Sequence, residues 1–172
     1  VDANLQIGTW YNAVCTYNSD TNTRSIYLDG ILLGSDNPAG TLAITDANNL
    51  TIGKTYTDEY FNGLIQNVNI YNVCLTSQEI MQNYFALAPI IQDYVTDGLI
   101  FYVDAANYAS YPNSGNTWYN LAGSQNVTLQ NNPTFSTDNG GLIQFSSLAS
   151  QYGTYPDLGY LPEYTISVWY NL

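Results

Sequence analysis

The chain has no histidine anywhere in its 172 residues. Ser-His-Asp triads, Cys-His pairs and histidine-ligated metal centres are therefore excluded by composition alone. Positive charge is nearly as scarce: Arg24 and Lys54 are the two cations against fourteen carboxylates, a formal charge of −12. With nothing to displace counterions from phosphates, nucleic acid is excluded as a partner. Cysteine is limited to Cys15 and Cys74, too few for a disulfide scaffold. Both fall in strand-like runs (AVCTY, NVCLT), where buried free thiols are the ordinary reading and a single disulfide the alternative. Long apolar runs are missing too. The longest candidates, GLIFYV and FALAPII, fall far short of the ~20 residues that a membrane-spanning helix needs, so no membrane partner is expected. The sequence opens on Val1 without initiator methionine or leader, which fits a processed product or a piece of something longer.

What is present points to a folded β protein. Hydrophobic residues make up 45 % of the chain, with seventeen Tyr, five Phe and three Trp, a composition that disordered segments lack and that can bury one domain-sized core. Solubility must come from neutral polar groups and carboxylates. That suits an exported or virion-surface protein, so the expected location is extracellular or on a virion surface.

Alternation of apolar and polar residues predicts strands at 10–17, 25–29, 50–53, 64–72, 98–104, 141–146 and 164–170. Turn-rich pieces such as GSDNPAG, YPNSGNTW and STDNGG separate them, the spacing of an antiparallel β-sandwich or jelly roll. One helix interrupts the pattern. In LTSQEIMQNYFAL, Thr76 and Glu79 stand at capping-box spacing and Leu75 and Ile80 at staple spacing, which predicts a short helix at 77–86. Pro89 stops it, and residues 87–97 read as a connector between blocks 1–91 and 92–172. Asp29-Gly30 is a hairpin signal, Gly53 and Gly63 suit positive φ or close backbone approach, and Trp10, Ile26, Leu28, Ile65, Val68 and Ile70 are core candidates.

Five pieces of the first block, WYNAVCTY (10–17), IYLDG (26–30), LTIG (50–53), FNGLIQNVNIYN (61–72) and LTSQEI (75–80), occur in the order and spacing of one known family. This stretch resembles the C-terminal half of a laminin-G-like domain of the concanavalin A-like lectin/glucanase superfamily, which includes the pentraxins. The second block, with DGLIFYVDAAN (97–107), YPNSGNTWYNL (111–121), NPTFSTDNGGLIQF (132–145) and PEYTISVWY (162–170), resembles the N-terminal half, in the style of modules seen in phage and environmental virion proteins. The resemblance implies a jelly-roll β-sandwich with its halves in permuted order. Family strands that normally lie between the two blocks have no evident counterpart. Three arrangements account for this: a window on a tandem array, a circular permutant, or halves completed by neighbouring copies. An unpaired sandwich edge exposes unsatisfied backbone groups and half a core, so completion by another copy or an adjacent repeat is the expectation.

The chemistry of candidate sites is sparse. Some members of the superfamily are glucanases, which need two carboxylates, but their Glu-x-Asp-x-x-Glu strand motif is absent and the expectation is no enzyme. Asp58-Glu59 form an adjacent acidic pair on the loop where calcium-binding relatives place ligands, so they are the candidate metal site. Asp36, Asp46 and Asp104 are the carboxylates available to join them, Ca²⁺ is the one cofactor considered, and solvated loop acids are the alternative. For saccharides, Tyr56, Tyr60, Trp118 and Tyr119 are candidates for stacking, with Tyr108, Tyr111 and Tyr155 as further loop tyrosines; ordinary strand packing is the alternative. Asn49 and Asn126 head N-glycosylation sequons. The functional expectation is a non-catalytic structural or display module of an extracellular or virion assembly. The alternative is a carbohydrate-binding adhesion domain facing cell-surface glycans, with or without Ca²⁺.

Overall fold

The computed structural model describes residues 4–40, 49–55, 57–86 and 95–172. Strand β1 (Trp10–Asn18) turns into β2 (Thr23–Leu28), and Asp29 and Gly30, at φ 51° and 78°, carry the chain into β3 (Ile31–Asp36). Two consecutive left-handed residues between paired strands form the primed turn that matches strand twist, which is what the Asp-Gly pair provides. Next come β4 (Leu50–Ile52), β5 (Gly63–Tyr71) and helix α1 (Ser77–Ala86). The second block supplies β6 (Leu99–Asp104), β7 (Thr117–Trp118), β8 (Val127–Gln130), β9 (Thr134–Ser136), β10 (Leu142–Phe145), β11 (Tyr152–Tyr155) and β12 (Glu163–Asn171).

Among the described residues these strands form two sheets. The larger, eight-stranded sheet runs β3-β2-β1-β12-β5, after which β10 and β6 both pair with β5 and β9 extends β10; the smaller is β4-β11-β8-β7. The last strand of the chain is thus the middle of the large sheet. Along its whole length β12 pairs antiparallel with β1 on one side, and with β5 on the other from Thr165 to Asn171. Both sequence blocks therefore contribute to both sheets.

Helix α1 lies on the outer face of the large sheet, and its start is built as the sequence indicates. The Thr76 backbone N–H donates to Glu79 Oε2 at 2.8 Å and the Glu79 N–H to Thr76 Oγ1 at 3.3 Å, the reciprocal capping box. Leu75 and Ile80, 4 % and 1 % exposed, close the staple in a cluster with Val14, Tyr27 and Tyr71. A second, larger cluster fills the space between the sheets, with Phe101, Val103, Trp118, Val127 and Ile143 all fully enclosed. Of the expected core residues, Ile65, Val68 and Ile70 belong to this cluster. Trp10 and Leu28 are half-buried and Ile26 is 39 % exposed. The reason lies in the unequal size of the two sheets.

Candidate functional site

Strand register allows the inner face of the large sheet to be followed residue by residue. Directly opposed residues share a face, so one row crosses five strands as Ile26, Cys15, Ile166, Ile70 and Phe101. Phe101 is 0 % and Ile70 1 % exposed, Ile166 is half-buried, Cys15 is exposed and Ile26 is 39 % exposed. The neighbouring row, Leu28, Ala13, Val168, Val68 and Val103, shows the same gradient. Val103 is 0 % and Val68 5 % exposed, while Val168, Ala13 and Leu28 are all half-buried. In these two rows burial fails at β12, while toward the ends of β1 Tyr11 and Tyr17, on the same face, are 9 % and 1 % exposed. The four-stranded sheet ends at β4, over β5 and β12, and among the described residues no strand covers the inner faces of β1, β2 and β3.

The uncovered strip is a trough made of three cavities that share walls. One of about 570 Å³ runs under β4, between Leu50 and Ile52 above and Val68, Ile166, Val168 and Tyr170 below. A second of about 220 Å³ continues past Leu158, Leu161 and Tyr164. The third, about 420 Å³, reaches Cys15, Ile26 and Gly34. The chain's two cations stand at opposite rims. Arg24 makes a two-pronged contact with Asp36, 2.8 and 2.6 Å, and this pairing raises the guanidinium pKa and lowers that of the carboxyl. Lys54 Nζ lies 2.7 Å from Asp58, which raises its pKa, and sits over the rings of Tyr60 and Tyr152, 5.6 and 4.8 Å from the centroids. Burial among apolar neighbours pushes the Tyr164 and Tyr170 phenols up. The floor is therefore uncharged.

Residues 1–81 match the family model Laminin_G_3 of the concanavalin A-like lectin/glucanases superfamily. The fold is concanavalin A-like. Comparison with curated proteins and with solved structures gave no match. The family match covers the block from which β1 to β5 and the start of α1 come; the strands of the second block join the same two sheets by the pairing described above. Members of this superfamily are mostly non-catalytic, though some are glycosidases.

On this concanavalin A-like frame the expected site residues scatter. Trp118, expected as a loop aromatic for stacking, lies in β7 and is 0 % exposed; its ring fills the core and offers no face to a ligand. Tyr111 and Tyr155, at 2 % and 7 % exposed, are likewise packing residues, whereas Tyr119 and Tyr108 are 42 % and 70 % exposed. Tyr60 is half-buried beside Lys54 at the trough rim. Tyr56 and Asp46 lie outside the described residues. Asp58 is engaged by Lys54, and Glu59 Oε2 accepts the Thr57 hydroxyl at 3.2 Å and that of Thr55 at 3.4 Å. Asp36 is bound to Arg24, and Asp104 accepts from Tyr102 and Ala106. Among the described residues no three acidic or cysteine side chains gather as a metal would require.

Asn49 is exposed, while Asn126 is half-buried and its Oδ1 accepts the Asn120 N–H at 3.1 Å. Both cysteines are free. Cys15 is exposed in the trough rather than buried, and Cys74 sits beside Thr16, whose register partners put it on the other face of the sheet. The sequence reading missed the trough because burial of a strand face depends on how many strands lie across it, a property that alternation within one strand does not carry.

Proposed function

We propose that this laminin G-type chain is a non-catalytic structural or display module of an extracellular or virion assembly, such as a filament, fibre, or capsid or tail surface. Its sandwich is completed by a neighbouring subunit or by neighbouring sequence. The observation that carries the reading is the burial gradient along Phe101, Ile70, Ile166, Cys15 and Ile26. An apolar inner sheet face open to water costs roughly 25 cal/mol per Å² of apolar surface, and such surfaces on soluble proteins mark interaction sites. The carboxylates favour the non-enzymatic reading, since Glu79 caps a helix and Glu163 Oε2 accepts the Cys74 N–H at 3.4 Å.

Denaturing intact mass and sedimentation of the protein from its natural source test the proposal. A mass well above the 19.0 kDa of this chain means completion by flanking sequence. A mass near that value in a large particle means completion between subunits, and a lone monomer of that mass rejects the reading.

A second reading, saccharide binding, is favoured by a separate pocket of about 590 Å³ lined by Asn113, Ser114, Asn116, Asn132 and Thr134 around the half-buried ring of Phe135. Carboxamides beside an aromatic floor suit vicinal hydroxyls. Asn113 and Asn132 have φ of 65° and 52°, so Asn113→Gly and Asn132→Gly remove the amides while keeping the backbone. Glycan-array binding that these variants abolish supports this reading; a blank array rejects it.

A further inference from the structure

Resting on the reading of an incomplete sandwich, we propose that the trough is a strand acceptor. An uncharged extended segment with apolar residues at alternate positions adds to the free edge of β4 and lays those residues on Ile166, Val168, Ala13 and Cys15. Three observations select this occupant. First, among the described residues β4 pairs only with β11, through Leu50–Ile52 and Tyr155–Gly153, so its other edge offers backbone donors and acceptors to an added strand. Second, the floor repeats every two residues. Tyr164, Ile166 and Val168 lie opposite Tyr17, Cys15 and Ala13, a spacing of about 6.8 Å that matches the same-face side chains of a strand. Third, charge limits the partner. The chain carries −12, yet its two cations flank the trough with their carboxylate partners. The apolar floor between them carries no charged side chain, and the other carboxylates lining the trough, Glu59 and Asp157, repel an acidic segment but not an uncharged one similar in make-up to this chain's own strands. The open width across β1 to β3 leaves room for about three strands at ~4.8 Å each, of which the one on β4 is the first.

The probe is a ten-residue peptide of alternating valine and threonine, with a five-valine, five-threonine block peptide as control. Added to the intact chain, the alternating peptide slows maleimide labelling of Cys15 at least tenfold and leaves Cys74 unchanged. It also slows hydrogen exchange of the Leu50–Ile52 amides. The Val168→Asp variant weakens binding at least tenfold; should that variant misfold by circular dichroism, Ile26→Asp on the more exposed end of the neighbouring row takes its place. Unchanged Cys15 labelling overturns the proposal. So does protection of Cys15 without protection of the β4 amides, which would mean plain apolar contact, as with a second copy packed face to face. The broader reading fails separately. A solitary natural monomer that still accepts the peptide sinks the assembly and keeps the acceptor, whereas a natural particle in which Cys15 labels freely sinks the acceptor and keeps the assembly.

Discussion

Single residues divide according to whether the unequal sheets enclose them. Trp118 packs inside the inter-sheet cluster at 0 % exposure, its indole N–H without a hydrogen-bond partner among the described residues. Trp118→Ala should therefore cost about 3–5 kcal/mol by leaving a large cavity, read as a lower urea midpoint. A ligand-facing tryptophan would leave the midpoint in place. Asp104 shows a different burden. Burial pushes its carboxyl above the ordinary 3.8, and this outweighs the acceptor bonds from Ala106 and Tyr102. Between 3.8 and the raised folded value, the folded state holds this proton while the unfolded chain has lost it. Stability then falls as pH rises through that window and returns on acidification. Asp104→Asn should flatten this part of the stability-pH curve; an unchanged slope would remove Asp104 as its source.

At the scale of elements, the helix start is the clearest case of local sequence deciding local structure. Thr76→Ala removes one half of the capping box and should cost about 1 kcal/mol, with Glu79→Ala adding little on top because the two side chains satisfy each other; urea titration of both singles and the double checks this. The long strands and the helix were legible for the same reason. Alternation over 64–72 and 164–170 marks strands that observation places at Gly63–Tyr71 and Glu163–Asn171, and the helix expected at 77–86 is Ser77–Ala86. Strands β3, β7, β8, β9 and β11 were not legible. Most are two to four residues long, too short to show a period. In β3 the register slips opposite Ile26 and Tyr27, and Ile31 and Leu32 are 63 % and 49 % exposed, so its apolar residues mark an edge rather than a core. Gly63 shows what residue type alone can say. Its φ is not left-handed, but a side chain there would meet the Asn171 carbonyl oxygen, so it is close approach that requires glycine.

For the molecule as a whole, the same contact geometry that hides one half of the large sheet leaves the other half open, and stability should map this division. Val103 and Val168 share one row two strands apart, both opposite Val68. Val103 is 0 % exposed under the small sheet, whereas Val168 is half-buried at its limit. Replacing each by serine tests the roof directly. Val103→Ser buries a hydroxyl and opens a cavity in the closed core, and should cost about 3 kcal/mol. Val168→Ser replaces an apolar group already partly in water, and should cost under about 1 kcal/mol while lowering the fluorescence of an apolar-surface dye bound to the isolated chain. In the natural assembly the difference should shrink, because there the added layer makes Val168 a core residue too. Equal losses already in the isolated chain would mean that the trough is closed in solution, and the case for completion by a neighbour would fall with it.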